Sequence, residues 1–292
     1  MTGLVSPDGI DYAEALRIIM HWRTSPERLP EDFAGWEASH WKAGKGCDDA
    51  NWKATSFEDR MPLVHKAILH RYPLPANFHL WEAIVSSESG LRTVAHFAAT
   101  CGYEFPEGFP HWQLKSSSGE PVIHTLIRNF NVPPAHFTQW SIPNAELRTV
   151  AHAYLSQLKA PLPAAFDDWF LVDRYGVTVA ETAIGMSAFT GNDAIGRLPD
   201  NLALWRFRID GNATLLHLRV QSGGSIPDIV SVDDWHLLDV YGNSVIDLAR
   251  RYNHLHLVAQ YEASCLAMHV ETQRENCAGA RLLRSRISRS AA

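Results

Sequence analysis

The chain has 292 residues, 46% of them apolar, and a formal net charge of −6. That length could bury a large core, and the acidic balance argues against a broad nucleic-acid surface. Four cysteines without C-x-x-C spacing suit reduced thiols in a cytoplasmic setting.

The N-terminal stretch carries Asp8, Asp11 and Glu14 ahead of its first apolar run, so no Sec-type leader is expected. No apolar run reaches membrane-spanning length, so no membrane partner is expected. Delivery from the cytoplasm by a specialised secretion route stays open. Residues 1–60 read as an N-terminal helical cap, with Ala13, Leu16, Ile19 and Met20 at helical spacing. An inserted loop between Lys42 and Ser56 contains Gly44, Gly46, Asp48 and Asp49.

Residues 61–270 are repetitive. The hexad from Leu91 to His96 returns letter for letter from Leu147 to His152. Its histidine slot is filled by His65, His96, His124, His152, Glu181, His217 and Asp247, in steps of 31, 28, 28, 29, 36 and 30 residues. A period near thirty points to stacked helical units. A second mark, Pro-x-x-Phe-x-x-Trp, keeps the same phase at Pro30/Phe33/Trp36, Pro75/Phe78/Trp81, Pro106/Phe109/Trp112, Pro134/Phe137/Trp140 and Pro163/Phe166/Trp169. Pro199/Leu202/Trp205 and Pro227/Val230/Trp235 are looser copies. Nine residues separate the tryptophan from the threonine slot at Pro121, Thr149, Thr178, Thr214 and Ser244. The threonine slot is expected to open one helix and the proline a second, short one, with Phe and Trp on one face. Burial of that aromatic pair would hold neighbouring units together. Between the marks lie polar turns, Ser116–Gly119, Asp173–Gly176 and Asp239–Gly242, in which Asp accepts local backbone bonds and Gly supplies positive φ. Residues 271–292 hold five Arg against two Glu, leaving about −9 on the rest, and read as a basic flexible tail.

Thr93-Val94-Ala95-His96-Phe97-Ala98-Ala99-Thr100-Cys101-Gly102 resembles the first helix of the ankyrin repeat at its Thr, His, Ala-Ala and Gly positions. The segment from Asp239 to Val258 looks like a whole ankyrin unit. The period is shorter than the family's 33 residues, and Pro-x-x-Phe-x-x-Trp replaces the family's second helix. The resemblance implies an all-α, ankyrin-like helical-repeat solenoid. It also implies a protein-binding surface, without catalytic residues, metal or cofactor.

The slot histidines recur once per unit, roughly 10 Å apart at ordinary helix-packing distances, too far to share one zinc; the resemblance to the ankyrin repeat implies a structural role for them, bonded to neighbouring backbone and to the threonine. Cys265 and His269 are four apart on one helical face and could form a nucleophile–base pair, or be incidental. Asp48/Asp49, Asp167/Asp168 and Asp233/Asp234 could hold a cation; the latter two pairs sit just before Trp169 and Trp235, where acidic residues favour a helix start. No phosphate-loop, nucleophile-elbow or zincin motif occurs.

The expected function is therefore that of a non-enzymatic scaffold, an inhibitor or a delivered effector among the forms it could take. It would engage another protein through a concave helix face and the turn tips Ser117, Ser118, Ala145, Glu146, Arg174, Tyr175, Asp210, Val240 and Tyr241. The Arg-rich end, Arg281, Arg284, Arg286 and Arg289, is the one place where nucleic acid could be met. The rival is an enzyme with its site in the first 60 residues or at Cys265/His269.

Overall fold

The computed structural model describes residues 63–69, 71, 74, 78–87, 90–209 and 212–290. The cap expected over 1–60, the first aromatic mark, Pro62, Pro75, Cys47, Asp48, Asp49 and the tip residue Asp210 lie outside the described residues. The described chain is helical, with one two-stranded hairpin. It divides into two compact units, the first ending at Leu158 and the second beginning at Lys159.

In the first unit, α1 (Leu63–Leu69), α2 (Val94–Cys101), α3 (Val122–Arg128) and α4 (Val150–Leu158) pack in succession, α1 on α2, α2 on α3 and α3 on α4. A 3-10 turn (Leu80–Glu82) and the hairpin β1 (Ile84–Ser87) and β2 (Gly90–Thr93) precede α2. The second unit has α5 (Val179–Thr190), α6 (Leu202–Trp205), α7 (Leu215–Gln221), a 3-10 turn (Val232–His236), α8 (Val245–Arg251) and α9 (Leu255–Ser290). There α7 packs against α5, α6 and α8, and α9 packs on α8.

Each of these core helices starts at the threonine slot for a local reason. Thr93 accepts a side-chain bond from His96 N, and complete capping boxes join Thr178 to Glu181, Thr214 to His217 and Ser244 to Asp247. The histidine slot is thus the third helical position, where any acceptor long enough to reach back will serve. This is why Glu and Asp can replace His. The helices α1 to α5, α7 and α8 also end alike, on a residue with left-handed φ: Arg71, Gly102, Phe130, Lys159, Gly191, Gly223 and Asn253.

The aromatic mark is buried throughout, from Phe78 and Trp81 to Trp205 and Trp235, the last two 2% and 1% exposed. In the first unit the rings run on in edge-to-face contact, with Trp112 and Phe137 centroids 5.4 Å apart and Trp140 and Tyr154 also 5.4 Å apart. The short second helix expected at each mark is mostly absent. At Pro106, Pro134 and Pro163 the chain makes one turn, the N–H of Phe109, Phe137 and Phe166 donating to the proline carbonyl. Among the described residues only Leu80–Glu82, Leu202–Trp205 and Val232–His236 form helical turns near it. Five residues between a proline and a tryptophan that must turn inward give too few successive bonds for a helix to propagate.

The segment 271–292, expected as a flexible tail, is helical as far as Ser290, and the boundary at 270/271 falls inside α9. No helix among the described residues is long and apolar enough to cross a membrane.

Candidate functional site

Between each buried tryptophan and the next helix the backbone closes a nine-residue finger. The N–H groups of Ile123, Ala151 and Ala180 donate to the carbonyls of Trp112, Trp140 and Trp169, and Val122, Val150 and Val179 to Leu114, Ile142 and Leu171. One antiparallel bridge spans each finger: Lys115–Pro121, Pro143–Thr149, Val172–Thr178, Arg208–Thr214 and Leu238–Ser244. These bonds set the constant interval seen in the sequence. Between Trp81 and Thr93 the same closure, Val94 N–H to Ala83 carbonyl, encloses the longer β1–β2 hairpin.

The tips are Asx-type turns. Asp173 Oδ1 accepts from the N–H of Tyr175 and Val177, Asp239 Oδ1 from Tyr241 and Asn243, and Asn144 Oδ1 from Glu146 and Arg148. Two residues before each helix cap the φ is positive, at Gly119, Leu147, Gly176, Asn212 and Gly242. Leucine pays a steric penalty there that glycine avoids. Leu147→Gly is therefore expected to raise stability by about 0.5–1 kcal/mol, the relief exceeding the added chain entropy. A shift of the urea midpoint to higher concentration at unchanged slope measures it, and a lower midpoint would contradict it.

Every described tip residue singled out from sequence is exposed. Ser117, Ser118, Ala145 and Glu146 sit on the first unit's fingers, and Arg174, Tyr175, Val240 and Tyr241 on the second's. The two sets differ in chemistry. Those of the first unit are small or polar, whereas Tyr175 is 69%, Val240 58% and Tyr241 85% exposed. The Arg174 guanidinium lies 4.6 Å from the centre of the Tyr175 ring and contacts its hydroxyl. Sequence reasoning missed the flanks of the same fingers. Val172 and Leu238, at the bridge position three residues after the tryptophan, are exposed, as is Phe170, whose ring meets Phe207 at 4.9 Å. The available signal was that bridge position, which holds Lys115 and Pro143 in the first unit but Val172, Arg208 and Leu238 in the second, two of the three apolar.

The slot histidines are occupied by the fold. His96, His152 and His217 place Nδ1 2.7, 2.7 and 2.8 Å from the threonine hydroxyl of their own cap. His96 and His124 turn Nε2 to the carbonyls of Glu120 and Ile142, both at 2.9 Å, in the following finger. Burial pulls the pKa of His65 down to about 4. Burial also lowers that of His124, with Arg148 adding to the effect against the Ile142 carbonyl, and that of His217. No group of three His, Cys, Asp or Glu side chains that could hold a metal occurs among the described residues.

The acidic pairs have structural partners where the second member is buried. Asp234 closes the Ser231 cap and pairs with Arg206. Its own burial raises its pKa, but the Arg206 and Ser231 hydrogen bonds outweigh that and hold it below the usual carboxylate range. Cys265 and His269 share α9, but the Cys265 thiol faces the Tyr261 hydroxyl, and His269 Nε2 lies 3.0 Å from Gln273 Nε2. Tyr261 also meets His236 Nε2 at 3.1 Å.

A further polar cluster lies where the repeat is longest, between Glu181 and His217. Here α5 runs for 12 residues. Arg219, 1% exposed, donates from Nε to the Ser225 carbonyl at 3.1 Å and from Nη1 to Ser187 Oγ at 3.2 Å, and pairs with Asp193 through Nη2. Burial lowers the pKa of Arg219 while Asp193 opposes the shift. Beside the cluster is a shallow cavity of about 360 Å³ lined by Ser187, Asp193, Ser222, Gly224, Ser225 and His256 among others. Two sequence signals pointed here: the 36-residue step, and a position two beyond the histidine slot that is Ala67, Ala98, Leu126, Tyr154, Ala183 and Ala249 in other repeats but Arg219 in this one.

The chain matches no protein-family model and no curated protein.

Proposed function

We propose that this chain is a non-enzymatic binding protein, each unit a short stack of divergent ankyrin-like repeats of the solenoid type, whose fingers engage another protein in a reducing compartment or after delivery from one. The observation that carries the reading is the chemistry of the second unit's fingers. Tyr175, Val240, Tyr241, Val172 and Leu238 spend large apolar surface on solvent at matching finger positions, although nothing in the fold requires apolar residues there. Aromatic residues and Arg on an exposed, backbone-locked turn are the usual anchors of protein interfaces, and a preorganised turn loses little conformational freedom on binding. His96, His124, His152 and His217, by contrast, are committed to caps or carbonyls, which leaves the fingers as the part of the repeat free to specify a partner.

The test is partner capture from the native host, identification of the captured protein, and titration of that protein against variants. Tyr175→Ala with Tyr241→Ala is expected to weaken binding by about 10- to 100-fold, with Arg174→Glu acting in the same direction. Ser117→Ala with Ser118→Ala in the first unit should leave the affinity nearly unchanged. Equal affinity for all of these would remove the second unit's fingers from the interface. Loss of activity on the partner in Cys265→Ala, with capture intact, would favour the enzymatic alternative at Cys265 and His269.

A further inference from the structure

The repeats use two chemically different groups for one cap. In α5 and α8 the third helical residue is a carboxylate. Glu181 Oε2 accepts from Thr178 N–H at 2.7 Å and its hydroxyl at 2.8 Å, and Asp247 Oδ2 accepts from Ser244 N–H at 3.1 Å and its hydroxyl at 2.6 Å. In α7 the same bond is made by an imidazole, Thr214 N–H donating to His217 Nδ1 at 3.0 Å. A backbone N–H can only donate, so Nδ1 must be unprotonated and the ring neutral, with its proton on Nε2. His217 is fully buried, and its Nε2 has no partner in hydrogen-bonding geometry, although the Asn243 and Leu237 carbonyls lie close enough to act on its ionisation.

We propose that His217 is an acid-sensitive latch: protonation at Nδ1 breaks the α7 cap and opens α7, while the carboxylate-capped helices on either side of it, α5 and α8, stay closed. The bond cannot survive the proton, because it would set N–H against N–H in a buried site. A carboxylate at the same position ordinarily keeps its acceptor oxygens until pH falls to about 4, and the Ser244 hydroxyl and N–H hold Asp247 below even that range.

The direction in pH follows from the burial of His217. A base whose folded pKa lies below its unfolded value of about 6.5 contributes its full stability above that pH. The contribution is lost as pH falls from there towards the folded pKa. Charged groups act on the ring from both sides: Asp239, on the finger ahead of α8, favours the proton and Arg208, on the finger ahead of α7, opposes it. Glu181 on α5 and Asp247 on α8 are engaged with their own caps, Asp247 also feeling His236, and Arg219 on α7 is paired with Asp193. The device does not depend on whether the fingers bind a partner.

Hydrogen exchange of the full-length chain, read by mass spectrometry and corrected for intrinsic rates, tests it. Between pH 6.5 and 5, protection across 214–222 is expected to fall by up to about tenfold per pH unit. Protection across 179–190 and 245–251 should change less than about threefold. His217→Gln supplies an untitratable acceptor and donor of similar reach and should abolish the pH dependence at 214–222. Parallel loss in all three segments, or no loss above pH 4.5, would overturn the latch, as would an unchanged pH dependence in His217→Gln. Should that variant fail to fold, the ring resonances of His217 in the unaltered protein decide: titration below pH 6 together with the Thr214 amide supports the latch, and titration without the amide overturns it.

Discussion

Trp205→Ala is expected to destabilise the second unit by about 3–5 kcal/mol, the range for removing a buried aromatic from a core that cannot fully collapse. Trp205 is 2% exposed and donates its indole N–H to the Pro199 carbonyl at 3.1 Å. A tryptophan side chain of about 200 Å² at about 25 cal/mol per Å² contributes roughly 5 kcal/mol of burial. The truncation also leaves the carbonyl without its donor. Because the chain has two compact units, the denaturant transition should be followed separately in each, by exchange or by unit-specific probes. The second unit's transition should move and the first unit's, reporting on Trp112 and Trp140, should not. A loss below about 1 kcal/mol would mean that Trp205 is not a core residue, and Trp205→Phe should recover part of the loss.

Gly224→Ala is expected to be nearly as damaging, for a steric reason that a second substitution removes. A Cβ built on Gly224 would lie 2.2 Å from Arg219 Cζ and 2.3 Å from its Nε. The guanidinium cannot retreat without giving up Ser225, Ser187 and Asp193, and so would leave a buried cation short of partners. Asp193 is 57% exposed, so water reaches one side of the ion pair and softens the penalty. A loss of about 2–4 kcal/mol is expected. In an Arg219→Ala background the same glycine substitution should change stability by less than about 1 kcal/mol, since the three atoms nearest the new methyl all belong to Arg219. Additive losses in the double-mutant cycle would show that Gly224 serves something other than passage of the arginine.

These substitutions fall on features that differ in how far they could be read from residues alone. The register of the repeat was legible because it is made by bonds between near neighbours. Thr178 and Glu181 are three apart and close a capping box, and Trp169 and Ala180 close a finger through the backbone. Such bonds demand particular residue types at fixed intervals, so the interval itself appears in the sequence. The exposure of Tyr175 and Tyr241 was legible for the same reason: Asp173 and Asp239 bind the backbone of their own turns and force the intervening side chains outward.

What the sequence determined by itself, then, is the start of each core helix, the turn of each finger and the inward tryptophan, all set within about a dozen residues. Only the tertiary structure decided that most of the second helices shrink to a single turn, that Val172 and Leu238 remain uncovered, that Arg219 is drawn under Gly224 toward Asp193, 26 residues away, and that α9 continues to Ser290. Those outcomes depend on which distant surface reaches a side chain first. Burial is non-directional and insensitive to sequence separation, so it leaves no interval to read.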